Sequence, residues 1–116
     1  MAVHPIPLSQ LNLETVKTPD ETIVHCSGRI TSSTSEQLQT TVRSLIPNTK
    51  CVVLDLTNVS YMDSSGLGAL VGLYVSGKRQ YCGLKLVNVN QRLRELFHLT
   101  KLDSVFEGHD EFSPHS

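Results

Sequence analysis

One stretch of the sequence places carboxylate, hydroxyl and glycine residues close enough together to do chemistry, and it reads MDSSGLGALVG from residue 62 to residue 72. Asp63 or Ser64 can accept the first amide protons of a helix that begins here, as N-cap residues do. Ser65 then lies in the first turn with its hydroxyl exposed. Free N–H groups and the helix dipole both favour an anion at that position. A phosphate on Ser65 is therefore compatible with the fold, and the pattern predicts a phosphorylation switch.

The helix that follows is unusual because the outer face predicted for it carries only small residues. A projection at about 100° per residue predicts a core-facing stripe of Leu67, Leu70, Val71, Tyr74 and Val75. The same projection predicts an outer face of Ser65, Ala69, Gly72 and Ser76. Solvent-facing positions of a helix normally carry Lys, Glu or Gln, which favour helicity. We interpret the small outer face as a surface that a partner protein approaches closely; alternatively, Gly68 and Gly72 only let the helix crowd a neighbouring element.

The first part of the chain predicts a β-hairpin. The segment Leu8–Val16 alternates loosely between apolar and polar residues, and Thr22–Ser27 gives a second short strand. The intervening Thr18–Glu21 contains the turn-forming residues Pro and Asp. Two strands this close predict an antiparallel hairpin, and Gly28 is expected to end its second strand.

The middle of the chain predicts helix, strand and helix. Ser33 and Glu36 have the spacing of a capping box, and apolar residues follow them at helical spacing. The continuous apolar run Cys51–Leu56 is typical of a strand covered on both faces. Residues 57–63 are expected to form a loop before a helix over 64–78.

The last part of the chain predicts a further strand at Gly83–Val89 and a helix capped by Asn88 or Asn90. The apolar residues of 102–106 indicate a last strand or short helix. This order of elements predicts an α/β fold, with a mixed and mostly parallel sheet of four to five strands and helices packed on it.

Composition indicates one globular domain. The chain has 116 residues, of which 39% are hydrophobic, and this length is close to the commonest domain size. We predict a single domain over 1–116, with flexible tails at 1–7 and 109–116. Ten basic residues stand against eleven acidic ones without a Lys/Arg run, which argues against nucleic-acid binding.

Sequence features also indicate a cytoplasmic protein without membrane insertion. The longest nearly apolar stretch, 67–75, is far shorter than the roughly 20 residues that span a bilayer. The first residues lack the pattern of a signal peptide. Cys26, Cys51 and Cys82 form an odd set without CxxC spacing, which favours buried thiols in a reducing compartment.

The string DSSGLG at Asp63–Gly68, after the strand Val52–Leu56 and the segment Asn58–Met62, resembles the signature of the STAS domain. More narrowly, it is similar to that of the anti-sigma-factor antagonists of bacteria. The likeness covers most of the chain, from the early hairpin to the strand–helix unit Leu84–Phe97.

The resemblance implies a partner switch without catalytic residues, metal or cofactor. Such proteins bind an anti-sigma factor that is also a serine kinase, and they thereby free a sigma factor for transcription. The kinase phosphorylates the second serine of the motif, here Ser65, and this ends the interaction. A separate serine phosphatase restores it.

The likeness also assigns roles to neighbouring residues. It implies that Asp63 positions the serine. With the predicted helix face, the partner-binding residues are Asp63, Ser64, Gly66, Leu67, Gly68, Ala69, Gly72, Ser76 and Thr31. The sequence departs from the family at Thr31, where an acidic residue is frequent, and this departure bears on the choice of partner.

Other function classes find less support in the sequence. The elbow motif of serine hydrolases is G-x-S-x-G, and here Asp63 replaces its first glycine. Nothing in the sequence pairs a histidine base with Ser65. A dinucleotide-binding loop would need its third glycine at Val71, one position before Gly72. Two alternatives inside the STAS class stay open: a non-catalytic scaffold of a stress-signalling complex, and an accessory subunit of a lipid-transport ATPase.

Overall fold

The computed structural model of the protein describes residues 10–106. The flexible tails predicted at 1–7 and 109–116 lie outside the described residues. No helix between residues 10 and 106 is long and apolar enough to cross a membrane.

The described chain contains one four-stranded sheet with strand order 1-2-3-4. Its strands are β1 (Leu11–Lys17), β2 (Thr22–Ile30), β3 (Cys51–Met62) and β4 (Gly83–Val87). The first two strands pair antiparallel and form the predicted hairpin. The other two pairings are parallel, since a helix connects the strands of each pair. The prediction of a mixed and mostly parallel sheet is confirmed.

Between residues 10 and 106, four α-helices connect and follow the strands. They are α1 (Ser35–Leu45), which continues into a short 3₁₀ helix (Ile46–Asn48), α2 (Ser64–Arg79), α3 (Gln91–Leu99) and α4 (Asp103–Phe106). The last element, for which the sequence left strand and helix open, is thus a short helix.

One hydrophobic core joins the helices to one face of the sheet. Alternate residues of three strands point into it, as the two-residue period of a strand requires; these are Val24, Cys26, Val52, Leu54, Leu84 and Leu86. From the helices come Leu38, Val42, Leu70, Leu73, Leu93 and Phe97. Phe106 of α4 closes the core, with its ring centre 6.0 Å from that of Phe97 and 5.6 Å from that of Tyr74.

Two strands run further than the sequence predicts. Gly28 does not end β2 but lies inside it with a φ of +114°, and a Cβ atom there would overlap the carbonyl oxygen of Gln10. The register of β2 against β3 shifts directly after Gly28, which makes this position a bulge that only glycine fits easily. Because β2 continues, the predicted loop after residue 56 is wrong. That segment is the second half of β3, and its Met62 pairs with Ile30.

The predicted capping box does not form. Thr34, rather than Ser33, is the N-cap residue of α1, and no side chain caps the helix by a hydrogen bond. The Thr34 hydroxyl is used elsewhere, since it accepts a hydrogen bond from the Thr31 N–H at 2.9 Å and donates one to the carbonyl of Arg29 at 2.7 Å. This buried hydroxyl thus holds the segment between β2 and α1 against the end of β2.

A candidate docking site at the start of the second helix

The predicted motif lies where β3 passes into α2, beside the end of β2. The carboxyl ends of parallel strands meet at one edge of a sheet, where ligands and partners commonly bind. The backbone N–H of Asp63 donates to the carbonyl of Ile30 at 3.2 Å. The motif is therefore fixed to two strands of the sheet and not only to its own helix.

Asp63 is the N-cap of α2. Its backbone is extended, and its Oδ1 accepts hydrogen bonds from the N–H groups of Ser65 at 2.9 Å and Gly66 at 3.1 Å. Of the two predicted cap residues the structure thus selects Asp63, and Ser64 becomes the first residue of the helix. The carboxylate satisfies two of the four amides that a helix start leaves unpaired.

Both serines of the motif are exposed. Neither the Ser64 nor the Ser65 hydroxyl forms a hydrogen bond to any residue between 10 and 106. Since Asp63 has the capping role, neither hydroxyl is needed to hold the helix together. The Ser65 side chain stands in the first turn of α2, where the positive end of the helix dipole favours an added negative charge.

Three of the predicted partner-binding residues face inward. Gly66, Leu67 and Ala69 are all buried within the chain. A Cβ atom on Gly66 would lie 2.5 Å from the carbonyl oxygen of Ile30 and 2.7 Å from the Met62 side chain. Gly66 therefore allows α2 to approach the end of β2, and the side chains of Leu67 and Ala69 belong to the core side of the helix.

The outward residues of the motif form a smooth surface. Ser64, Ser65 and Gly68 are exposed, and Gly72 and Ser76 are half-buried. Apart from the adjoining backbone of α2 itself, an added Cβ atom on Gly68 or Gly72 would meet no atom of the described residues within 4 Å. The alternative that these two glycines let the helix crowd a neighbouring element is wrong for this part of the chain.

The projection of α2 from the sequence is rotated with respect to the structure. Ala69, which was predicted to face outward, is only 3% exposed, and Val75, which was predicted to face the core, is 43% exposed. Leu73 is fully buried although the projection did not count it. The cause is that Val71 and Val75 were counted as core residues because they are apolar. Val71 is half-buried, and Val75 is exposed and extends the outward surface along the helix.

Thr31 lies at the same edge of the sheet. It directly follows Ile30, whose carbonyl receives the N–H of Asp63. The Thr31 Oγ1 is 3.0 Å from the Ser33 Oγ and is half-buried. The structure thus brings Thr31 next to the motif, about thirty positions away in the sequence, through the parallel pairing of β2 with β3.

Reasoning from the sequence missed a basic and aromatic cluster beside the motif. Arg29 pairs with Tyr61 across β2 and β3, and its guanidinium carbon lies 4.7 Å from the centre of the Tyr61 ring. Arg92, at the start of α3, lines the same hollow. In the sequence these residues are far apart, so only the register of the strands could have revealed the cluster.

A second polar cluster, away from the motif, ties β2 and β3 to the residue that follows β4. His25 Nδ1 lies 2.8 Å from Asp55 Oδ2, while Asp55 Oδ1 accepts hydrogen bonds from the Thr57 N–H at 3.0 Å and the Asn88 side chain at 3.1 Å. Burial raises the pKa of the Asp55 carboxyl, but hydrogen bonds from Thr57, Asn88 and His25 outweigh burial and lower this pKa to about 2. His25 is thus bonded to Asp55 rather than to Ser65.

Asn90 rather than Asn88 caps α3, since its side chain accepts the N–H of Leu93 at 2.9 Å. Asn88 is engaged in the Asp55 cluster. Within residues 10–106, no group of three or more His, Cys, Asp or Glu side chains is arranged to hold a metal ion.

Comparison with known proteins gives the family. The family model of the STAS domain matches residues 12–115. The anti-sigma-B factor antagonist of Bacillus subtilis (strain 168) is 31% identical over 97 residues, which cover 84% of this chain and 89% of that protein. The protein of the same name from Staphylococcus epidermidis is 34% identical over 99 residues, with 82% of this chain and 89% of that protein covered.

Solved structures show the same fold. An anti-sigma factor antagonist from Mycobacterium paratuberculosis superposes with a TM-score of 0.75 at 24% identity, covering 84% of each chain. The anti-sigma factor antagonist SpoIIAA in its unphosphorylated form gives a TM-score of 0.72 at 18% identity, covering 92% of this chain and 89% of that one. From the matched family and its relatives, the chain belongs to the STAS domain family, in the group of the anti-sigma factor antagonists.

Proposed function

We propose that this protein is a phosphorylation-controlled antagonist of an anti-sigma factor. In its unphosphorylated form it docks on the anti-sigma factor through the outward surface of α2, which frees a sigma factor for transcription. The serine kinase activity of the anti-sigma factor then phosphorylates Ser65 and releases the complex, and a serine phosphatase reverses the modification. The observation that carries this proposal is an exposed Ser65 hydroxyl without a structural role, next to a surface of small residues.

The shape of the surface supports close docking. Gly68 and Gly72 leave open space where other residues would place side chains, so a partner backbone can approach the helix. Further along α2, Val75 is 43% exposed and adds apolar area beside them. A small, partly apolar patch that ends at two serines fits the contact region of a protein interface, where charged residues are depleted.

A phosphate on Ser65 would act on the interface and leave the fold intact. It would add roughly −1.5 to −2 charges and three acceptor oxygens to a surface that is otherwise smooth. The fold tolerates this charge because Ser65 is at the N-terminal end of the α2 dipole and its hydroxyl holds no other residue. Asp63, as the cap of α2, keeps the Ser65 side chain in the first turn.

The proposed role needs no catalytic residue in this chain and no cofactor. The chemistry of phosphate transfer belongs to the kinase and that of its removal to the phosphatase. Because the anti-sigma factor acts on transcription, we place the protein in the cytoplasm. The names of the related antagonists support the coarse function, and the chemistry at Ser65 supports the mode of control.

Substitutions of the two serines test the proposal. We expect Ser65→Asp to weaken binding of the anti-sigma factor from the same organism at least about tenfold, which corresponds to about 1.4 kcal/mol. The melting temperature should stay near that of the wild type. Ser65→Ala should bind without being phosphorylated in the presence of ATP, while Ser64→Ala, the matched control for the acceptor, should still be phosphorylated.

Calorimetric titration and kinase assays with labelled ATP measure these quantities. Phosphorylation of the Ser65→Ala variant would show that another residue is the acceptor. A large fall in melting temperature for Ser65→Asp would show that Ser65 has a structural role and would contradict the switch.

A further inference from the structure

A hollow of about 370 Å³ opens beside the end of β3, outside the α2 surface proposed for docking. It is lined by Arg29, Ser60, Tyr61 and Arg92. Two of these four residues carry a positive charge and none carries a negative one. The Ser60 hydroxyl donates to the carbonyl of Gly28 at 3.3 Å, so the guanidinium groups are the main free donors of the hollow.

Arg29 is held in place by an aromatic ring and not by a carboxylate of residues 10–106. Its guanidinium lies over the Tyr61 ring, with 4.7 Å between the guanidinium carbon and the ring centre. Its Nε atom is buried and has no hydrogen-bond acceptor among the described residues. A buried donor without an acceptor is rare and costs free energy. A small movement of the Arg29 side chain toward the hollow would let a ligand oxygen accept from this atom and would remove the cost.

Arg92 brings a second uncompensated charge to the same hollow. It is exposed in the first turn of α3, and neither it nor Arg29 forms an ion pair with a carboxylate of residues 10–106. The acidic residues that line the adjoining groove have other partners: Glu95 accepts a hydrogen bond from Gln91 at 3.4 Å, and Asp63 caps α2. The positive end of the α3 dipole adds to the potential.

We propose that this hollow binds a phosphoryl group between Arg29 and Arg92. Each guanidinium presents a planar fork of donors that matches two oxygens of a phosphate or a carboxylate. One guanidinium group already engages both oxygens of a carboxylate. A phosphate dianion has enough oxygens to bind two guanidinium groups, and its two negative charges balance both arginines. The two unpaired guanidinium groups therefore select the phosphoryl group over a carboxylate.

The phosphoryl group has two possible sources. One is a phosphorylated ligand from outside the chain. The other is the phosphate that the proposed switch places on Ser65, because a groove of about 440 Å³ shares Tyr61 and Arg92 with the hollow and is also lined by Asp63 and Ser64, the residues directly before Ser65. Only the second source rests on the proposed function; the anion site does not.

The test follows the arginine Nε–H signals of the ¹⁵N-labelled, unphosphorylated chain while sodium phosphate is added at constant ionic strength. We expect the Arg29 and Arg92 signals to shift and saturate, whereas sodium chloride gives no saturating shift. Arg92→Gln should weaken phosphate binding about tenfold. The matched control Arg43→Gln, which changes an exposed arginine of α1, should bind as the wild type does.

The same titration on the chain phosphorylated at Ser65 distinguishes the two sources of the phosphoryl group. If the phosphate on Ser65 fills the hollow, both arginine signals shift before any phosphate is added, and the modified chain no longer binds inorganic phosphate. If an outside ligand fills it, the modified chain titrates like the unmodified one. The site would be overturned if the arginine shifts rise linearly with phosphate concentration, if chloride reproduces them, or if Arg92→Gln leaves them unchanged. This holds whether or not Ser65 is phosphorylated.

Discussion

At the scale of single residues, the structure assigns separate roles to Asp63 and Ser65: one caps the helix and the other exposes its hydroxyl. Asp63 accepts two backbone amides, and Ser65 keeps a free hydroxyl. The sequence pattern predicted that a cap and an exposed serine occur together here. The pattern could not decide between Asp63 and Ser64 as the cap, since both residue types cap helices equally well. The choice depends on the direction in which the chain passes from β3 into α2.

Removal of the cap should cost stability. We expect Asp63→Ala to lower the free energy of unfolding by about 1 kcal/mol, because the amides of Ser65 and Gly66 lose their acceptor. Asp63→Asn retains an acceptor oxygen and should cost less. Urea denaturation of the two variants measures the difference. An alanine variant as stable as the wild type would show that the cap contributes nothing.

At the scale of elements, α2 has a core side and an open side, and its glycines differ accordingly. Gly66 faces the end of β2 at close range, while Gly68 faces open space. The periodicity of the sequence correctly predicted an amphipathic helix, but the predicted core side was rotated from the real one. Hydrophobicity alone does not tell an exposed Val75 from a buried one. Only contact with the rest of the chain fixes the rotation.

Alanine substitutions should separate the two kinds of glycine. We expect Gly66→Ala to destabilise the fold by about 1–3 kcal/mol, since the new methyl group meets a backbone carbonyl that cannot move freely. Gly68→Ala should raise stability by up to about 1 kcal/mol through helix propensity. The same Gly68→Ala change should weaken docking of the anti-sigma factor.

Thermal denaturation and a binding titration on both variants give the answer. Equal destabilisation by the two substitutions would contradict the orientation of α2. Unchanged binding by the Gly68→Ala variant would remove Gly68 from the docking surface.

The strands β2 and β3 show a different limit of sequence reasoning. Gly28 looked like the end of a strand, and the segment after Leu56 looked like a loop. Both belong to paired strands, because a bulge at Gly28 lets the pairing continue to Ile30 and Met62. Local patterns contain no information about a partner strand thirty residues away, so the Arg29–Tyr61 contact that this pairing creates was not predictable either.

At the scale of the whole molecule, the predicted α/β architecture is confirmed, because the order of strands and helices along the chain decides which strand pairings are parallel. One face of the sheet is covered by helices in a single core, and polar contacts brace the sheet as well. Asp55 connects β2, β3 and the residue after β4 through His25, Thr57 and Asn88. These contacts hold the sheet whose edge presents the proposed docking site.

The Asp55 cluster predicts how stability depends on pH. Its carboxyl has a pKa of about 2 in the folded chain, below the ordinary value of 3.8. The charged carboxylate therefore contributes stability above about pH 4, and this contribution is lost as the pH falls from 3.8 towards 2. Asp55→Asn should lose less stability over that range than the wild type. Parallel loss in both proteins, measured by urea denaturation at several pH values, would contradict the role of Asp55.

The central claim is that Ser65 is the switch, and mass spectrometry of the protein purified from its own cells tests it most directly. Trypsin should release Cys51–Lys78 as one peptide, because no Lys or Arg lies inside it. Fragmentation of this peptide should place a phosphate on Ser65 and none on Ser64, in a fraction that changes between growth and stress. A peptide without phosphate on Ser65 under every condition would contradict the switch and favour a docking subunit that is always active.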